Sequence, residues 1–480
     1  MTNVIKNYRS LPITLKAAIW FFMCTILQKG MAFIVTPIFT RMMSTEEYGI
    51  VSMYNSWSSI LVIFATLDLT GGVFNTAMVR FEHERKRYVS AVQGLTTCLT
   101  LAMFLLFLVF RDVAVATLDL PFEYIALMFI CFLFTPSHEF WATKNRFEYK
   151  YISYVIVTMM LYATNLSLSL FLIFRMQDKA LARIMGMVLP TAVVGIFFYC
   201  YNWAQGKCFY DKNYWIYSLK FNLPLIPHYL SMNVLSTSDR VMISKIVGNS
   251  AAGIYSVAYS IGLLLQIVNQ CVNKAFIPWQ YQKMKEERYA EIRKNTKYIL
   301  VSLSVCIMGL ILCAPEVIAI MAPKEYQAAV WAIPPVAISL VCMLSYSIIV
   351  NIEYYFGKTI FVMVASTVSA VANIVLNAIF IPIFGFVAAG YTTLVCYIIY
   401  VVAHYVFMQR ACRMQNIRDN VFDLKFLGIC LALLMFTAAI IMLLYPYRYI
   451  RYTVVVAIIF VILLNYKRIK KYYTSFKNCN

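Results

Sequence analysis

Charge is scarce in this chain of 480 residues, and negative charge scarcer still. Charged residues make up 13% of it, and 21 Asp and Glu stand against 41 Lys and Arg. Water-soluble domains carry about 25% charged residues, so no large soluble domain fits. Thirteen cysteines are present, yet no Cys-x-x-Cys pair or Cys/His spacing suits zinc or a redox couple. They lie mostly in apolar runs and read as small buried hydrophobes. No nucleophile and base form a recognisable arrangement, which argues against a membrane enzyme. No small-residue cleavage site follows the first apolar segment, residues 15–40. That segment is also too long for a secretory signal and is expected to remain as a span.

What the chain does have is apolar sequence: 62% hydrophobic residues and a mean hydropathy of +0.73. Its apolar runs approach the roughly 20 residues that cross a bilayer as a helix. They lack the short alternating pattern of outer-membrane strands. An all-α integral membrane protein of fourteen spans is predicted, near 15–40, 48–76, 88–110, 121–141, 151–174, 184–203, 219–244, 251–278, 298–321, 328–351, 359–384, 386–408, 426–445 and 450–466. The last is short, so twelve or thirteen crossings are alternatives.

Lysine and arginine are retained on the cytoplasmic side of a membrane. With both termini inside, thirty of them fall on inner segments and ten on outer ones, Lys29 being within a span. The net charge of +20 then reflects topology and attraction to anionic membrane lipids, and needs no nucleic-acid partner.

A short passage occurs twice. Arg41 to Ser56 matches Lys245 to Ser260 at an offset of 204 positions, with Gly49-Ile50-x-Ser52 over Gly253-Ile254-x-Ser256, Ser56 over Ser260 and Arg41 over Lys245. Six predicted spans separate the copies, so two homologous six-helix lobes would point the same way, related by a pseudo-two-fold axis along the membrane normal. The expected division is an N-terminal lobe at 1–205, a C-terminal lobe at 206–410, and two extra helices with a basic cytoplasmic tail at 411–480. Gly49 and Gly253 read as turn residues.

Around the repeat, Pro37-x-x-Thr40-Arg41 and Ser44-Thr45-Glu46-Glu47-Tyr48-Gly49 resemble the opening motif of bacterial polysaccharide flippases, particularly O-antigen translocases. Pro224-x-x-Pro227, Ser238-Asp239-Arg240 and Gly253-Ile254-Tyr255-Ser256 are similar to the same family's second-lobe landmarks. So are Tyr326-x-x-Ala329 with Pro334, and Asn373-x-x-x-Asn377 followed by Pro382-x-x-Gly385. The chain departs from the pattern at Leu67-Asp68-Leu69-Thr70-Gly71-Gly72, where an acid is added. Such motifs also run through the wider exporter superfamily, which includes lipid II flippases and cation-coupled drug antiporters.

The resemblance implies transfer of an undecaprenyl-diphosphate-linked oligosaccharide across the bacterial inner membrane. It implies no catalytic motif and no cofactor, with H+ or Na+ as the coupling ion if one is used. A polysaccharide polymerase and a chain-length regulator would act afterwards. A lipid II flippase or drug antiporter is the alternative reading, and an O-antigen polymerase the alternative from another class.

A lone charge at the centre of a spanning helix costs at least about 2.5–3.5 kcal/mol, so ionisable residues within spans are the candidate site. Lys29 either faces a central cavity or pairs with Asp68, and Asp68 either couples a proton or locks to a cation. Asp239 and Arg240 are candidates for an outer gate or for coupling. Adjacent helix residues point about 100° apart, so these two should not pair with each other. Arg80 and Lys274 end spans two and eight, where a diphosphate headgroup would arrive. Asn373 and Asn377 share one helix face and either meet sugar hydroxyls or join helices. Pro224 and Pro227 interrupt span seven as a hinge or a fixed kink.

Overall fold

The computed structural model describes residues 12–417 and 419–464. Among these it is helical throughout, with eighteen α-helices and three short 3-10 segments. In the first half run α1 (Ile13–Met42), α2 (Thr45–Thr66), α3 (Gly72–Arg80), α4 (Arg85–Val109), α5 (Arg111–Leu118), α6 (Phe122–Phe147), α7 (Tyr151–Arg175) and α8 (Lys179–Gly206). α9 (Lys212–Asn222) leads into α10 (Ile226–Ile246), α11 (Asn249–Lys285), α12 (Tyr289–Leu312), α13 (Ala314–Met321), α14 (Ile333–Tyr355), α15 (Thr359–Phe384) and α16 (Val387–Met414). α17 (Leu424–Leu443) and α18 (Arg448–Leu464) follow.

Among the described residues eleven helices are long and apolar enough to cross a membrane, or twelve when the two halves of α11, bent by 40°, count as one span. Fourteen is not reached among the described residues. α10, at the expected span seven, carries a run of polar residues from Ser236 to Arg240 that lowers its hydropathy, and α18, at the expected fourteenth, is described over 17 residues. Large side chains such as Phe171, Phe174, Val301 and Val305 stay exposed on the outer faces of α7 and α12, as lipid-facing surfaces require. The protein is multi-pass.

Two corrections concern helix ends. Span two is not continuous over 48–76: Leu67 and Asp68 take the left-handed conformation, with φ of 50° and 48°, and separate α2 from α3. Pro224 and Pro227 mark a true break, since the 3-10 segment Leu223–Leu225 stands between α9 and α10. A proline ring removes a backbone donor and clashes with the preceding turn, so it kinks or breaks a helix.

Buried apolar residues gather on two sides. The largest core, from Leu235 to Tyr445, belongs to the second half, and α17 adds Leu427, Leu431 and Leu434 to it. The first half holds its own cores around Phe129 and around Phe74. Tyr214 of α9 packs edge-on against Phe81 and Tyr88, so α9 lies against the first half.

The halves meet where α2 and α11 begin. α2 starts in a capping box, in which Ser44 Oγ accepts from Glu47 N and Ser44 N donates to Glu47 Oε2. This fixes the helix start and sets Gly49, Ser52 and Ser56 on one face; Gly253, Ser256 and Ser260 form the matching face of α11. A Cβ on Gly49 would lie 1.8 Å from Asn249 O, and one on Gly253 would lie 2.2 Å from Thr45 O. Asn249 is the counterpart of Thr45 at the 204 offset, so the clash is reciprocal. Ser52 Oγ meets Ser256 Oγ at 2.5 Å, and the Thr45 hydroxyl meets that of Ser250. A residue touching its own counterpart is what a two-fold axis between them produces. Gly49 and Gly253 are thus not turn residues: both lie within helices and let two backbones touch, as small residues do between membrane helices.

The closure is reinforced reciprocally. Arg41 donates to Ile320 O at 2.9 Å and Lys245 donates to Thr117 O, so each repeat sets its basic residue on the last turn of a short helix, α13 or α5, in the other half. Carbonyls there carry partial negative charge that favours a cation. Cysteines replacing Ser52 and Ser256 in an otherwise cysteine-free chain should oxidise to a disulfide, seen as a gel shift. Adding Gly49→Val should abolish that shift; a disulfide that forms as readily with the Gly49→Val substitution in place would contradict the close approach.

Candidate functional site

Behind this seam lies a cavity of about 300 Å³ between the halves, into which Asn55, Ser56, Ser59, Thr237, Arg183 and Arg240 project. α2 supplies its serines at helical spacing, and α10 supplies Thr237 and Arg240 from the polar run that kept it below the hydropathy of a span. Among the described residues, no Asp or Glu lines the cavity.

The two arginines come from opposite halves. Arg183, on α8, stacks over Phe39 at 4.0 Å and donates to Ser169 Oγ at 2.6 Å. Arg240 stacks over Tyr259 at 4.1 Å and donates to Ser236 O at 3.3 Å. Among the described residues neither forms an ion pair, because the acid nearest to each in sequence is already occupied. Asp178 caps α8 by accepting from Leu181 N and also accepts from Tyr124 OH at 2.7 Å. Asp239 is 1% exposed and accepts from Asn377 Nδ2 and Thr393 Oγ1, both at 2.7 Å, and from Tyr255 OH at 2.8 Å. Both guanidinium groups keep donors for an incoming anion.

Asp239 and Arg240 point apart as expected, the acid into the second-half core and the base into the cavity. Asn373 and Asn377 share a face, but it is turned away from the cavity. Both are fully buried, Asn377 donating to Asn373 Oδ1 at 3.2 Å and Ser238 donating to the same oxygen at 2.8 Å. Contact of these amides with substrate is thus corrected to a helix-joining role, tying α10 and α15 to α16 through Thr393.

Asp68 sits at the break between α2 and α3, beside Gly71, with no ion pair among the described residues. Asn222 Nδ2 donates to Leu67 O at 2.5 Å, and Tyr229 OH approaches Gly72 so closely that a Cβ there would stand 2.9 Å from it. Arg80 ends α3 exposed, over the Tyr217 ring at 4.9 Å. The side chains of Lys29 and Lys274 lie outside the described residues, so the Lys29–Asp68 pair does too.

Sequence reasoning missed Arg183. Its position near the start of span six placed it among loop charges, although it falls a full helical turn beyond the capping residue Asp178 and so inside the helix. Removing the Asp239 carboxylate would strand three buried donors at about 1–3 kcal/mol each. Asp239→Ala is therefore expected to lower the thermal unfolding midpoint of the purified protein markedly, and an unchanged midpoint would show the knot to be dispensable.

Residues 14–284 match the family model described as polysaccharide biosynthesis protein. The Lsg locus putative protein 1 of Haemophilus influenzae is 24% identical over 360 residues, covering 72% of this chain and 87% of that protein. An uncharacterized membrane protein of the same organism is 22% identical over 346 residues, covering 69% and 81%. Among solved structures, the lipid II flippase MurJ in an inward closed conformation has a TM-score of 0.61 at 15% identity, covering 91% of this chain and 99% of that one. An inward-facing multidrug MATE transporter has a TM-score of 0.61 at 11% identity, covering 84% and 100%. These structures share the fold, and with the matched model extending over more than half of its length, the chain belongs to the polysaccharide biosynthesis protein family of membrane proteins.

Proposed function

We propose that the protein is a flippase, carrying an undecaprenyl-diphosphate-linked oligosaccharide from the cytoplasmic to the outer leaflet of a bacterial inner membrane. The observation that carries this reading is the pair Arg183 and Arg240, one from each half, in a single inter-lobe cavity without a carboxylate among its described lining residues. A diphosphate offers two anionic groups, and guanidinium groups bind such oxygens in a fixed fork. The serines, threonine and asparagine around them supply hydroxyls and an amide for sugar. A cationic drug would be repelled by this lining, which disfavours the antiporter reading. A lipid II flippase differs only in the glycan carried.

With both termini inside, the Gly49–Gly253 seam lies on the outer side. Transport then requires the two halves to part there while Tyr229 and Asn222 keep their contacts with Gly72 and Leu67 at the other end, with the break at Pro224 and Pro227 as the hinge. Arg80 and Lys274 would meet the headgroup at the cytoplasmic face. An imposed H+ or Na+ gradient is expected to drive the cycle.

Purified protein in liposomes containing a short-chain undecaprenyl-diphosphate glycan should move it between leaflets. Arg183→Ala and Arg240→Ala should each slow this about tenfold or more, since a hydrogen bond to a charged group contributes about 1.5–3 kcal/mol and 1.4 kcal/mol is tenfold. Flipping at the unmodified rate with both arginines replaced would remove the cavity from the path.

A further inference from the structure

One ionisable pair in the second half takes no part in the cavity. On α14, Glu353 Oε1 lies 2.8 Å from His404 Nδ1 on α16, and neither side chain has any exposure. The other atom of each, Glu353 Oε2 and His404 Nε2, is buried without a hydrogen-bond partner. Such atoms are uncommon in native structures and call for an explanation. When Nδ1 carries the imidazole proton and donates it to Glu353, both leftover atoms are acceptors and the pair bears a net negative charge. One added proton neutralises it and fills an empty position. A hard cation needs about six oxygen ligands, whereas one carboxylate oxygen and one imidazole nitrogen are free.

We propose that Glu353 and His404 form a proton-binding site in the second half, and that its occupancy sets the position of α10 and so the state of the seam. The surroundings support a proton and a transmission path. Tyr346 stacks on the His404 ring at 5.8 Å, and Tyr400 meets it edge-on at 4.5 Å. Tyr354 of α14 lies near Glu353, and Tyr397 of α16 near Tyr400. No Lys or Arg pairs with Glu353 among the described residues. From α10 the facing titratable group is His228, which shares a hydrogen bond with Ser366 of α15 at 3.1 Å. Tyr400 OH also donates to Met232 Sδ of α10 at 3.4 Å. The residue after His228 is Tyr229, which touches Gly72 in the first half. α10 thus has the proton site on one side and the opposite lobe on the other, directly after its proline break. A net negative pair has no place in an apolar interior, so proton release requires water to reach it, and the helices must move to admit water.

This inference rests on the two-lobe transporter reading but not on the glycan. Spin labels on Glu46→Cys and Glu325→Cys, exposed positions in opposite halves at the seam end, report its opening in lipid nanodiscs without substrate. The distance distribution of the unmodified pair should differ between acidic and mildly alkaline buffer. Glu353→Gln and His404→Gln, which keep polar side chains of similar size, should each give a distribution independent of pH. A pH response retained in both variants, or absent from the unmodified protein, would overturn the proposal. Failure of glycan transfer with the pH response intact would instead count against the flippase reading alone.

Discussion

The contact of Gly49 with Gly253 is the constraint on which the architecture turns. Two backbones approach so closely that neither position admits a Cβ, and each glycine meets the counterpart of the residue the other meets. Everything nearby follows the same reciprocity. The Ser52 and Ser256 hydroxyls join across the axis, and Arg41 and Lys245 each reach the end of a short helix in the opposite half. The hydroxyls that meet in this seam, those of Ser52, Ser256, Thr45 and Ser250, can find water when it opens. It can therefore close firmly without closing permanently.

The cavity behind the seam is a consequence of charge management on both sides. Two acids that could have neutralised Arg183 and Arg240 are committed elsewhere, Asp178 to capping a helix and Asp239 to joining three others. What remains is a positive chamber whose two cations belong to opposite halves of the chain. An anion held by both would favour an arrangement that brings them together, which is the differential affinity that any ligand-driven shift requires.

Much of this was legible in the sequence. Hydropathy gave the membrane class and most spans, and the offset of 204 positions gave the two lobes. The about 100° between Asp239 and Arg240 separated their directions correctly. What failed has physical causes. The expected span seven runs from residue 219 across Pro224 and Pro227, because the 3-10 segment between α9 and α10 is only three residues long and leaves no polar gap in the sequence. Helical glycines at a backbone contact look like turn glycines when they sit just after a polar corner. Asn373 and Asn377 share a face, but which neighbour that face meets is a tertiary fact. Glu353 and His404 stand 51 residues apart on different spans, and neither carries any local signal of its partner.

The central claim is that transfer requires the Gly49–Gly253 seam to open. The most direct measurement is glycan flipping in liposomes by the Ser52→Cys, Ser256→Cys protein in a cysteine-free background, oxidised and then reduced in the same sample. Flipping should stop when the disulfide forms and return when it is reduced. Undiminished flipping by the locked protein would contradict the account.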